Sequence, residues 1–148
     1  MNADTKHIAL KEQTASSNST LTYAFDTLGA ARVKIDLFLA TPAVTNAPAV
    51  LKLGEGDTTS SYTDIDAFVA GGSGGFDAAA STTATTTTNV YRFDVDLRGR
   101  KRYLQLSYTP AADQGTTVLT TIASAELGRL AFGGDSATKQ GVNQVVAG

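Results

Sequence analysis

Alternation of apolar and polar residues with period two dominates this chain, and it is cleanest between Tyr91 and Tyr108. Tyr91, Phe93, Val95 and Leu97 alternate with Arg92, Asp94 and Asp96; beyond a basic turn, Leu104, Leu106 and Tyr108 alternate with Tyr103, Gln105 and Ser107. Successive side chains of a strand point to opposite faces, so each run predicts a strand with one buried face. With Gly99 and Arg100 as central turn residues, the runs are expected to pair as a hairpin. Val95 then lies opposite Leu104, Phe93 opposite Leu106 and Tyr91 opposite Tyr108, one register that aligns both apolar rows. Arg98 would face Lys101 there, and their repulsion would open the turn into a four-residue loop.

A second hairpin is expected upstream. Leu21, Tyr23 and Phe25 alternate in one run, and Val33, Ile35, Leu37 and Leu39 in the next, where Phe38 breaks the polar face. Asp26 and Gly29 supply turn residues between them. Shorter strands fit residues 7–13, 49–54 and 116–127, the last with both faces partly apolar, so that its inward side stays open. One segment reads differently: Tyr62, Ile65, Phe68 and Val69 recur at three- and four-residue spacing, with Ser61 as a cap and Gly71 as a stop, which predicts a short helix. Gly71 to Gly75 is expected to be a flexible linker, and the Thr/Ala stretch 81–88 prolongs it into a Gly/Thr-rich excursion over 71–89.

Many short strands, long connections and little helix predict an all-β chain. The expected architecture is a two-sheet antiparallel sandwich with one short helix and extended termini, with the jelly roll as first choice of topology and an immunoglobulin-like order as second. Residues 1–20 would be an N-terminal arm or edge strand, 21–132 the sandwich and 133–148 a C-terminal arm. Composition agrees: Ser and Thr account for 32 of 148 residues and Gly for 14, whereas Glu numbers three. A chain of this length buries roughly 70% of its unfolded surface without staples.

Charge and leader signals narrow the partners. A net charge of −2 argues against nucleic acid, whose nonspecific binders carry a surplus of Lys and Arg. Neither a basic segment leading into an apolar run nor eighteen consecutive apolar residues occurs, so a soluble, unprocessed chain with no membrane partner is expected. The absence of Cys excludes disulfides and thiolate metal sites.

Catalytic constellations are thin. A metal-dependent jelly-roll enzyme needs several converging His and carboxylate ligands, and His7 is the only histidine. The same shortage argues against a Ser-His-Asp triad, and no Gly-x-Ser-x-Gly elbow surrounds any serine. Neither an enzyme nor a cofactor is expected. Asp94-x-Asp96 places two carboxylates on one strand face beside Arg92, which reads more simply as local charge balance than as acid/base chemistry. Asp64-x-Asp66 could contribute oxygen ligands to Ca²⁺ but lacks the ordered spacing of an EF-hand loop. Gly71 to Gly75 is followed by no Lys-Ser/Thr, which argues against a phosphate loop. Asn18-Ser19-Thr20 matches a glycosylation acceptor without a secretion signal to give it meaning.

Arg98, Arg100, Lys101 and Arg102 crowd four cations into five positions. They admit two readings, a solvated tip that keeps a sheet edge soluble or a docking surface for an acidic partner. A sugar-binding or adhesion sandwich is the alternative function, and it would need exposed aromatic platforms. Only Tyr62, Tyr103 and Phe76 are candidates, the other strand aromatics belonging to apolar rows.

The run "YRFDVDLRGRKRYLQLSYTP", followed ten residues later by "TIASAELGRL", resembles the capsid cement or decoration proteins of tailed bacteriophages. The matching parts are Asp96-Leu97-Arg98-Gly99, Arg102-Tyr103-Leu104, Thr109-Pro110 and Ala123 to Ala125, and the motif that contains them spans roughly a quarter of the chain. The resemblance implies a non-enzymatic virion structural protein, made in the host cytoplasm and placed on the capsid exterior. It implies a jelly-roll subunit that forms a homotrimer and bridges copies of the major capsid protein. The trimer and the capsid come from the resemblance alone. The arms 1–20 and 133–148 and the basic tip would then be the contact elements.

Overall fold

The alternating rows form strands wherever they are long. In the computed structural model, which describes residues 6–40, 46–80, 89–128 and 144–147, the strands are β1 (Lys6–Ala15), β2 (Leu21–Asp26), β3 (Arg32–Ala40), β4 (Val50–Gly56), β5 (Thr63–Val69), β6 (Asn89–Asp96), β7 (Tyr103–Thr109), β8 (Leu119–Gly128) and β9 (Gln144–Ala147). A single 3-10 turn, Ala112–Gln114, is the only helical element among the described residues. The chain is all-β, and the strands make two packed sheets in the orders β1-β8-β3-β6-β9 and β2-β7-β4-β5. All pairs are antiparallel except β6 with β9.

Both expected hairpins exchange partners. β2 and β3 lie in different sheets, and so do β6 and β7. β2 pairs with β7, setting Tyr23 opposite Leu106 and Phe25 opposite Leu104, while β3 pairs with β6, setting Ile35 opposite Phe93 and Val33 opposite Val95. Alternation fixes which face of a strand is buried but not which strand lies beside it. Every apolar row faces inward as its period requires, and the rows of the two sheets meet across one core that includes Tyr23, Ile35, Leu53, Phe93 and Leu106. With β1–β8 and β4–β5 also paired, the first eight strands nest as first with eighth, second with seventh, third with sixth and fourth with fifth.

The helix expected near Tyr62 is a strand. β5 pairs with β4, but the register jumps from Gly54–Asp64 to Lys52–Val69, so an irregular bulge accommodates three extra residues. The bulge turns both Ile65 and Phe68 inward at a spacing of three, and that spacing imitates a helical stripe. Gly71 to Gly75 forms a closed turn: the Gly72 and Phe76 amides donate to the Val69 carbonyl, Gly71 to Phe76 and Gly75 to Gly72. A Cβ on Gly75 would lie 1.9 Å from the Val69 oxygen, so glycine is needed there for close approach. The Thr/Ala stretch 81–88 and most of the expected C-terminal arm lie outside the described residues. Residues 144–147 pair alongside β6 as β9, and residues 6–15 form β1 at the other edge of that sheet.

In β8, Leu119, Thr121, Ala123, Ala125 and Leu127 face inward. Thr121 is fully buried and hydrogen-bonds the Tyr23 hydroxyl. This satisfies two core hydroxyls with one contact between the sheets.

Candidate functional site

The four cations of the basic tip lie on one of two matching arches that carry the chain from sheet to sheet. In each arch an Asp ends a strand and accepts a hydrogen bond from the backbone two residues on, Leu28 to Asp26 at 3.1 Å and Arg98 to Asp96 at 3.0 Å. Each continues as a four-residue turn, closed by Ala30 N–H to Thr27 O and by Arg100 N–H to Leu97 O. The third position is Gly29 in one and Gly99 in the other, at φ +82° and +79°. That pattern is the type II turn, whose third residue must adopt positive φ.

The arches brace each other. Thr27 N–H donates to Arg102 O and Leu97 N–H to Ala31 O, so both ladders continue across the bend, and the Thr27 hydroxyl adds a 2.6 Å bond to Arg102 O. Thr27 and Leu97 are buried at the corners. The repeated Asp-x-x-Gly of residues 26–29 and 96–99 was the sequence signal for this pairing.

Each tip cation has its own carboxylate. Arg98 pairs with Asp96 at 2.5 Å, Arg100 with Glu55 at 3.6 Å, Lys101 with Asp57 at 2.9 Å and Arg102 with Asp26 at 2.7 Å. Glu55 also accepts the Lys101 amide at 3.0 Å. Three of these acids, Asp26, Glu55 and Asp57, come from other parts of the chain and were not legible as partners. Hydrogen bonds from Arg102 and the Leu28 amide hold the Asp26 carboxyl down at about 2, and bonds from Arg98 side chain and backbone do the same for Asp96. The tip is thus a balanced set of ion pairs, and an acidic partner would compete with resident carboxylates for every cation. Arg98 is the one that remains largely open, with 83% of its side chain exposed.

The outer face of the five-stranded sheet carries a second grid of charge. Arg92 grips Asp36 with two bonds, at 2.6 and 2.8 Å, Arg32 bonds Asp94 at 2.5 Å, and Lys34 meets Glu126 at 3.1 Å. The Asp94-x-Asp96 pair is therefore divided between two arginines, as charge balance requires. Asp64 pairs with Lys52 at 2.8 Å. Among the described residues, no group of three or more His, Cys, Asp or Glu could hold a metal ion, and His7 is exposed on β1.

Two of the three aromatic candidates, Phe76 and Tyr103, are occupied. Phe76 packs edge-to-face on Phe93, its ring centre 6.0 Å away. The Arg102 guanidinium covers Tyr103 at 4.8 Å, and the Tyr62 hydroxyl is buried without a hydrogen-bond partner among the described residues. Two concave surfaces among the described residues are shallow depressions, one of about 230 Å³ beside Lys52, Asp64 and Val69 and one of about 330 Å³ beside Pro48, Asp77 and Ala78. Among the described residues, no helix is long and apolar enough to cross a membrane. No protein-family model matches the chain, and no curated protein matches its sequence.

Proposed function

We propose that this chain is a non-enzymatic virion structural protein that decorates a tailed-phage capsid as a homotrimer, bridging subunits of the major capsid protein on the exterior of the shell. The observation that carries the reading is the Tyr91–Pro110 pattern on which the resemblance rests. It falls on β6, the second arch and β7, a stretch in which the chain passes from one sheet to the other. The nested pairing of the first eight strands supports a jelly-roll wrap. Cementing requires a rigid body that presents several modest contacts, and repeated copies on a lattice multiply modest contacts into stable occupancy.

Within this reading the tip binds without strong charge steering, because its cations are already paired. Replacing Arg98 and Lys101 by Ser is expected to lower capsid affinity by less than about tenfold, the scale of exposed ion pairs. The sugar-binding alternative has less support, since Phe76 and Tyr103 each carry a packing partner on this chain.

Cosedimentation of the purified chain with tailed-phage capsids stripped of decoration tests the proposal. Saturable binding that raises the temperature of shell disruption is expected. A chain that ignores capsids at all salt concentrations but binds an immobilised glycan would overturn it in favour of the alternative.

A further inference from the structure

The sheet edges are not equally guarded. β1 has a bulge between Ile8 and Lys11 and exposes Lys6, His7, Lys11 and Glu12. On β2, the Gln13 side chain donates to the Thr22 carbonyl at 2.9 Å and so occupies part of the open edge. β5 is bulged and exposes Asp64 and Asp66. Bulges, charges and side-chain caps of this kind stop a sheet edge from recruiting another chain. Among the described residues, the edge of β6 is covered in another way, by the four residues of β9. The nested wrap of the first eight strands is complete without β9, and β9 makes the sole parallel pairing among the described strands. Its anchor is Val146, which lies opposite Phe93, is 6% exposed and belongs to the core.

Reach decides which copies of β9 can occupy that edge. Gly128 ends β8 level with Arg32 and Asp96, whereas Gln144 begins β9 level with Tyr91. The connection returns five residues along the sheet and crosses three strand spacings, about 22 Å in all at ~3.3 Å per residue and ~4.8 Å per strand. The fifteen residues from 129 to 143 have an extended limit of roughly 50 Å. The connection is therefore more than twice as long as its own β6 edge requires.

We propose that the β6 edge is a strand-acceptor site and that β9 is an exchangeable tethered strand, replaced by the β9 of a second copy once copies are crowded. A strand carried on the same chain competes with visiting copies at an effective concentration set by its connection. Dilute chains keep their own β9, and exchange begins when neighbours reach a comparable local concentration. The incoming strand makes the same backbone ladder to Tyr91–Asp94 and seats the same valine, so nothing in the contact itself favours the resident strand over the visitor. The inference stands on the sheet edge and does not require the capsid reading.

The chain has no cysteine, which permits a direct test. Asp94 and Ala147 are register partners, and Arg32, without Asp94, still faces Asp96. The double variant Asp94→Cys/Ala147→Cys, oxidised at low micromolar concentration, is expected to form an internal disulfide and run as a crosslinked monomer. The two single variants, mixed and oxidised, are expected to give a disulfide between residues 94 and 147 of different chains. Its yield should rise at least tenfold between 10 µM and millimolar protein, relative to a mixture in which Ser60→Cys replaces Ala147→Cys. Val146→Asp, added to the Ala147→Cys chain, should abolish the product while the circular dichroism of the sheets persists. No internal disulfide in the double variant, a mixed product no greater than the Ser60 control, or indifference to Val146→Asp would each overturn the proposal.

Discussion

At the scale of single residues, the charges divide into two populations that differ in what they contribute. On the outer face of the five-stranded sheet, Arg92 and Asp36 are mostly buried and doubly bonded. Removing one partner leaves the other desolvated and unpaired, so Asp36→Ala should cost about 2–3 kcal/mol in urea unfolding. Arg98→Ala, on an exposed tip, should lower the midpoint only slightly, since its pair with Asp96 is largely solvated. The tip carboxylates have a pH signature instead. Asp26 and Asp96 titrate at about 2 in the folded chain, below the ordinary value near 4 for an aspartate in the unfolded chain. The unfolded state therefore takes up protons first, and the stability these groups contribute is intact above the ordinary value and lost as pH falls toward 2. Urea midpoints measured from pH 5 to 2 should fall, and Asp26→Asn with Asp96→Asn should flatten that slope. High salt should flatten it too, because both groups are exposed.

At the scale of elements, the two glycine turns separate backbone conformation from crowding. Gly99 sits at φ +79° with nothing within 4 Å of the point where a methyl group would stand, so Gly99→Ala tests dihedral strain alone and should cost about 1 kcal/mol. Gly75 lacks that strain, but the Val69 oxygen occupies the space its Cβ would need. Gly75→Ala should therefore shift the 70–76 turn and cost more than Gly99→Ala, as thermal melts of the two variants can show. The same distinction explains what could be read from sequence. Strand faces such as Tyr91, Phe93 and Val95 follow from a period of two and were legible. β5 was not, because its bulge spaces Ile65 and Phe68 three apart, and a spacing of three has two structural causes. The 71–75 glycines likewise suit a linker and a tight turn equally well until their hydrogen bonds are known.

At the scale of the whole molecule, the two-sheet sandwich was legible from composition and alternation, whereas strand partnership was not. Leu21–Phe25 and Arg32–Ala40 have complementary rows, and so do the rows of β6 and β7, but all four rows are interchangeable in pattern. The choice is made by the arches, whose buried corners at Thr27 and Leu97 turn the chain from one sheet to the other. The basic tip, conspicuous as a charge run, gave its positions but not its electrostatics, since Asp26, Glu55 and Asp57 reach it only after the wrap is complete. Backbone nuclear Overhauser contacts on the isotopically labelled chain test this exchange of partners most directly. Main-chain contacts are expected across Ile35–Phe93 and Tyr23–Leu106; main-chain contacts across Phe93–Leu106 and Val95–Leu104 would contradict the exchange.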